Sequence, residues 1–110
     1  MEISGYWEKD ARVIAVSGSI DPSEWVVLDA AFLAAQIAQR RHIVLNLSKM
    51  DGAEPWVVVK LFKSYLQLRQ QGIRLSLVNP QPFLRRKLEP TNIPAFVDYF
   101  SSDLEALKAA

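Results

Sequence analysis

The run His42-Ile43-Val44-Leu45-Asn46-Leu47 constrains this chain more than any other stretch. It is short, nearly continuous in apolar residues and lacks the in–out alternation of a half-buried strand, which is the pattern of a strand covered on both faces. Such a strand lies at the centre of a sheet. Upstream, Arg12-Val13-Ile14-Ala15-Val16 is a β-branched run closed by Ser17-Gly18-Ser19, and the weaker Ile3–Trp7 segment precedes it across a polar turn at Glu8–Asp10. Those two predict an antiparallel pair.

Helical signals separate the remaining strands. Asp21-Pro22-Ser23-Glu24 places a cap and an early proline ahead of a helix that runs to about Arg40. From Pro55 to about Gln71, Val58, Leu61, Phe62, Tyr65 and Leu68 recur at helical spacing, with Lys60, Lys63, Ser64, Gln67 and Gln70 on the other side and Gly72 as the stop. Ile73–Val78 is a further strand closed by Asn79-Pro80. A short helix over Pro82–Leu88, a last strand over Ala95–Phe100 and a terminal helix opening at Ser102, with Glu105 completing the cap, finish the pattern. Two opening strands followed by alternating helices and strands predict one α/β domain over residues 1–110. Its sheet is small, mixed and mainly parallel, with an antiparallel first strand, right-handed crossovers and about four helices.

Composition narrows the function classes. Thirteen basic residues against twelve acidic leave a net charge of +1, too balanced to drive binding to a phosphate backbone, so no nucleic-acid partner is expected. The clusters Arg40-Arg41 and Arg85-Arg86-Lys87 read as solvated faces before they read as a patch. The absence of cysteine removes disulfides and thiol chemistry and agrees with a reducing compartment. Residues 1–10 carry Glu2, Glu8, Lys9 and Asp10 and no apolar run, so no export signal is expected, and the longest apolar stretch, Trp25–Ala35, is too short to span a bilayer. Cytoplasm is the expected compartment.

No catalytic constellation is visible. Acidic residues do not cluster at metal-ligand spacing, no glycine-rich phosphate loop follows a strand, and the only histidine, His42, stands at a strand entrance where a structural role is expected. The reading is therefore of a protein without enzymatic activity or cofactor. The first predicted helix is unusual, because Asp29, Gln36, Gln39 and Arg40 form only a narrow polar strip on its wheel. One inward face, Val27, Ala31, Ala34 and Ala38, is small enough for close packing. Either choice of inward face leaves large apolar side chains without a home, which predicts a partner or a homodimer at this helix.

The succession Val16-Ser17-Gly18-Ser19-Ile20-Asp21, Ile43-Val44-Leu45-Asn46-Leu47, a turn before an amphipathic helix, then Gly72 and a strand ending Asn79-Pro80 resembles the STAS family, best known from bacterial anti-sigma factor antagonists. The resemblance covers the chain from about Arg12 to the terminal helix. It implies a small sheet with helices on one side, and in the first helix a buried set of Trp25, Leu28, Phe32 and Ala35 with Val26, Leu33 and Ile37 outside. It also implies function by docking on a protein, typically an anti-sigma factor serine kinase. A transport ATPase served by a STAS-like subunit, and a small ligand such as a lipid or nucleotide, are the alternatives.

In that family a strand-to-helix turn carries an Asp-Ser-Ser/Thr-Gly-like motif whose first serine is phosphorylated, and a charge of about −2 placed in a packed interface releases the partner. Counted without gaps, the aspartate falls on Glu54, the acceptor on Pro55, the next hydroxyl on Trp56 and the glycine on Val57. A less economical alignment puts the aspartate on Asp51 and the acceptor on Gly52. Neither supplies a hydroxyl at the acceptor. The expected partner surface is Ser19 and Asp21 on one loop and Asp51, Gly52, Ala53, Glu54, Pro55 and Trp56 on the other. Against this, Glu54-Pro55 is also an ordinary helix start, Ser17-Gly18-Ser19 an ordinary turn, and Trp56 either an exposed anchor or a ring folded over the rim of the core.

Overall fold

The computed structural model of this chain describes residues 1–51, 54–90 and 97–109. Strands β1 (Glu2–Trp7) and β2 (Ala11–Gly18) lead through a 3-10 turn, Pro22–Glu24, into α1 (Trp25–Ile37). Then come β3 (His42–Met50), α2 (Pro55–Gln70), β4 (Arg74–Val78), α3 (Pro82–Leu88), β5 (Asp98–Phe100) and α4 (Asp103–Lys108). The strands form one sheet in chain order, β1 antiparallel to β2 and every later neighbour parallel, which is the mixed α/β arrangement the element order predicts. Residues 95–96 of the expected last strand lie outside the described residues. The close pairing of β1 with β2 requires Gly5, where a Cβ would stand 2.0 Å from the Val13 carbonyl oxygen.

β3 is the axis of the sheet, and its period of two divides the core. Ile43, Leu45 and Leu47 join Ile14, Leu75 and Leu77 beneath Leu28 and Phe32 of α1, Leu61 and Leu68 of α2 and Leu84 and Leu88 of α3. Val44 points the other way and packs with Val13, Val78 and Ala106 of α4. The helices therefore lie on both faces, not on one as the family resemblance implies. A strand apolar at both parities needs cover on both sides, and α4 provides the second.

α2 ends where Gly72 predicts, whereas α1 ends earlier than its pattern indicates. After α1, Gln39 takes a left-handed conformation (φ 57°), and the N–H groups of Gln39 and Arg40 donate to the carbonyls of Gln36 and Ala35. After α2, Gly72 (φ 74°) does the same, with Gly72 and Ile73 donating to Arg69 and Leu68. These are Schellman closures, one on the glycine that signals it and one on a glutamine that does not. α1 stops at Ile37 instead of about Arg40 for this reason.

Of the two inward faces open to α1, the structure takes the one the family resemblance implies, burying Trp25, Leu28, Phe32 and Ala35 and leaving Val26, Leu33 and Ile37 exposed, and not the small-residue face of Val27, Ala31, Ala34 and Ala38. Two large aromatic side chains have more apolar area to remove from water than alanines do, and they decide the rotation. In α2, Ser64 is buried and Phe62 is exposed, the reverse of their expected sides. Ser64 lies in the groove between the helices with Asp29 and Phe32 of α1 and Leu68 of α2, where a small side chain lets the two helices come close.

His42 is structural, as its position at the strand entrance indicates. It is buried on the α4 face of the sheet with Nε2 2.7 Å from Ser76 Oγ. Nearby, Arg74 bridges Asp98 Oδ2 at 2.5 Å and the Ala109 carbonyl at 3.0 Å, tying β4 to β5 and to the end of α4. Burial, and then the Arg74 charge, push the His42 pKa below its ordinary value. Above the ordinary histidine pKa the ring is neutral in both folded and unfolded chains. As pH falls through that value only the unfolded chain takes the proton, so stability drops by up to about 1.4 kcal/mol per pH unit until the folded pKa is passed. Urea unfolding at a series of pH values between 7 and 5 is expected to show this loss in the parent and a shallower slope in His42→Gln.

Candidate partner-binding site

The expected site residues come from the carboxyl ends of β2 and β3, and the sheet brings those ends together. A bulge between Ala15 and Ser17 shifts the register so that Ser17 pairs with Lys49 and Gly18 with Met50. β3 thus runs three residues beyond the apolar run that announces it. The Asp51 N–H then donates to the Gly18 carbonyl at 3.0 Å, joining the Ser17–Asp21 loop to the Lys49–Trp56 turn. Gly18 accepts this geometry with φ 80°, a conformation that favours glycine. Ser19, Asp21, Asp51, Glu54 and Pro55 are all exposed at this end of the sheet. Gly52 and Ala53 lie outside the described residues.

Each loop is set by its following helix. The Asp21 N–H donates to Glu24 Oε1 at 2.9 Å, and the amino terminus lies 3.1 Å from Glu24 Oε2. Those two donors hold the Glu24 carboxyl below the usual carboxylate range. Glu54 caps α2 through its backbone, its carbonyl accepting from Val57 N–H, and Pro55 is the first helical residue. The Glu54 side chain makes no capping hydrogen bond. The pair thus serves as a helix start and still presents a carboxylate to the outside.

Trp56 folds back over the rim. Its ring is half-buried and meets Trp25 edge to face, with centroids 5.9 Å apart and planes at 82°. Trp25 is oriented in turn by its Nε1–H, which donates to Asp29 Oδ1 at 3.0 Å. The first turns of α1 and α2 are therefore locked by an aromatic pair.

Two features escape a reading of sequence alone. Asn46 looks like a flaw in an apolar run, yet its Oδ1 accepts from both the amide and the hydroxyl of Ser48, at 3.0 and 2.6 Å, and its Nδ2 donates to Asp103 Oδ1 at 2.8 Å. Gln81 Nε2 reaches the Ser48 carbonyl at 2.5 Å. The end of β3 is thereby fastened to the starts of α3 and α4. The second feature is an outer stripe on α2, in which Pro55, Val59, Phe62 and Leu66 are exposed at i, i+4, i+7 and i+11. That spacing is present in the sequence, but it is interleaved with the stronger inward set.

Of the basic clusters, Arg40 and Arg85 are engaged with aromatic rings. The guanidinium carbons of Arg12 and Arg40 lie 4.6 and 5.2 Å from the Trp7 ring centroid, and that of Arg85 lies 5.2 Å from Tyr99. Among the described residues no three His, Asp or Glu side chains are grouped to hold a metal, and no helix is long and apolar enough to cross a membrane.

The STAS domain model matches residues 6–106, and this chain belongs to that family. No curated protein matches it in sequence. Among solved structures, the anti-sigma factor antagonist SpoIIAA in its unphosphorylated form superposes with a TM-score of 0.82 at 16% identity, covering 98% of this chain and 95% of that one. A putative anti-sigma factor antagonist from Thermotoga maritima gives 0.84 at 15% identity over 97% and 92%. One from Mycobacterium paratuberculosis gives 0.81 at 21% identity over 98% and 92%. At these identities the likeness is one of fold.

The aromatic lock has a direct test. Trp56→Ala removes a half-buried ring and is expected to destabilise the fold by about 1–3 kcal/mol, less than the truncation of a fully buried tryptophan. Urea unfolding measures the loss, and near-ultraviolet circular dichroism should lose the signal of the coupled Trp25–Trp56 pair.

Proposed function

We propose that this STAS domain is a non-catalytic, cytoplasmic protein-binding regulator of the anti-sigma factor antagonist type. Its partner surface is built from the Ser17–Asp21 loop, the Lys49–Trp56 turn and the outer stripe of α2. The observation that carries the reading is the Asp51–Gly18 hydrogen bond, which sets two loops side by side although the bonded residues are 33 positions apart in sequence. Val59, Phe62 and Leu66 extend that surface along α2, with exposed Lys60 and Lys63 beside them. An apolar stripe edged by cations suits a partner with an apolar groove and an acidic rim.

We further propose that the contact is not switched by phosphorylation at this turn. SpoIIAA occurs in a phosphorylated form, but here the acceptor position is Pro55, or Gly52 in the other alignment, and neither carries a hydroxyl. The nearest hydroxyl on β3, that of Ser48, is spent on Asn46 Oδ1.

The test is a titration of the purified chain with the anti-sigma factor kinase of its own host, followed by incubation with ATP and intact-mass measurement. Binding is expected, weakened about 10-fold or more by Phe62→Ala and by Asp51→Ala, since truncating a central contact costs at least 1–2 kcal/mol. The mass is expected to stay unchanged. Absence of binding, or a transport ATPase captured in its place, would overturn the regulatory reading, and a phosphate on Ser48 that releases the kinase would overturn the second proposal alone.

A further inference from the structure

We infer that the outer face of α1 is a contact between two copies of this chain, paired antiparallel across a two-fold axis. The face is apolar to a degree that a solvated helix is not. Val26, Val27, Leu33 and Ile37 are 67, 52, 53 and 74% exposed, and the exposed positions between them include Ala30 and Ala34. No charged residue interrupts this face. The two polar side chains of the helix, Asp29 and Gln36, line the groove toward α2, where Leu33 forms the edge shared with the outer face, and Asp29 is held there by Trp25. Single exposed apolar residues are ordinary, but a continuous face of them on a helix already packed on its sheet marks an interaction surface.

The spacing and the charges identify the occupant. Val26, Ala30, Leu33 and Ile37 follow one another at intervals of four, three and four residues, the seam of paired helices, with a small residue near the middle where two backbones can approach. An exposed aspartate, Asp21, precedes the helix and an exposed arginine, Arg41, follows it. An antiparallel pair centred between Ala30 and Leu33 sets Val26 against the second copy's Ile37 and brings Asp21 beside the second copy's Arg41, at both ends at once. It also opposes the two helix dipoles. A parallel pair would bring like charges together at each end. A lipid surface is a poorer fit, because membrane-surface helices carry lysine and arginine along their polar face and α1 has neither between Trp25 and Ile37.

One helix pair buries less than the roughly 800 Å² per partner of a standard interface, so the dimer should be weak and concentration-dependent. Asp21 belongs to this contact and to the proposed partner surface, but the two readings are tested apart, since sedimentation of the purified chain registers only a second copy.

Sedimentation velocity from about micromolar to millimolar concentration is expected to show a reversible monomer–dimer equilibrium. Leu33→Glu and Ile37→Lys should each weaken association by about 100-fold or more, because each desolvates a charge in the seam. Both positions are exposed, so the thermal melts should stay close to that of the parent. Arg41→Glu should weaken it about 3–10-fold at low salt and lose that difference at about 1 M salt, where surface charges are screened. A chain that stays monomeric throughout, or a dimer indifferent to both seam variants, would overturn the inference. So would a monomer that co-sediments with phosphatidylcholine–phosphatidylglycerol vesicles through the same face.

Discussion

Everything in this fold hangs on the burial of β3 on both faces. Ile43, Leu45 and Leu47 require a layer of helices on one side, and Val44 requires another on the other. Five residues of the strand from His42 to Leu47 are buried, and a strand so placed must have paired neighbours on both edges to satisfy its amides and carbonyls. The chain meets that demand with β2 and β4, each delivered in parallel by a crossover helix. The helices are thus where they are because β3 cannot face water.

The same strand also positions the candidate site. Where its apolar run gives out, Asn46 and Ser48 replace hydrophobic packing with a hydrogen-bonded hub that reaches Asp103 and, through the Ser48 carbonyl, Gln81. Three residues further on, the Asp51 amide is captured by Gly18. The end of the sheet is therefore cross-linked by hydrogen bonds up to the point where the exposed carboxylates begin. A binding surface on such a support loses little conformational entropy when it docks, which favours recognition by fixed shape over recognition by folding. The Trp25–Trp56 pair adds to this by holding the first turns of α1 and α2 against each other.

The two long helices differ in what their outer faces offer. α2 presents an apolar stripe bordered by lysines and beginning at its first residue, Pro55. α1 presents an apolar face with no charge of its own and opposite charges beyond its two ends. Between them runs a groove in which the polar side chains of Asp29, Gln36, Ser64 and Gln67 alternate with Phe32, Leu33 and Leu68.

Element order, the mixed sheet and the family were legible in the sequence, because they follow from periodicity and turn chemistry, which act over a few residues. The β-branched run Arg12–Val16, the Asp21-Pro22 helix start and Gly72 at a Schellman closure each carry their meaning locally. The rotation of α1 was legible only through the family resemblance, since by periodicity its thirteen residues with so few polar ones support two inward faces, and the space above the sheet chooses Trp25 and Phe32 over the alanines. The sides of Phe62 and Ser64 depended likewise on how closely α1 approaches α2. The Asp51–Gly18 bond and the Asn46 hub join residues distant in the chain, and no local pattern encodes which loops a sheet will set side by side. The Lys49–Trp56 turn could be found from sequence. The Ser17–Asp21 loop beside it was expected from the family resemblance, but the hydrogen bond that joins the two loops, the aromatic lock and the exposed stripe along α2 were decided by tertiary packing.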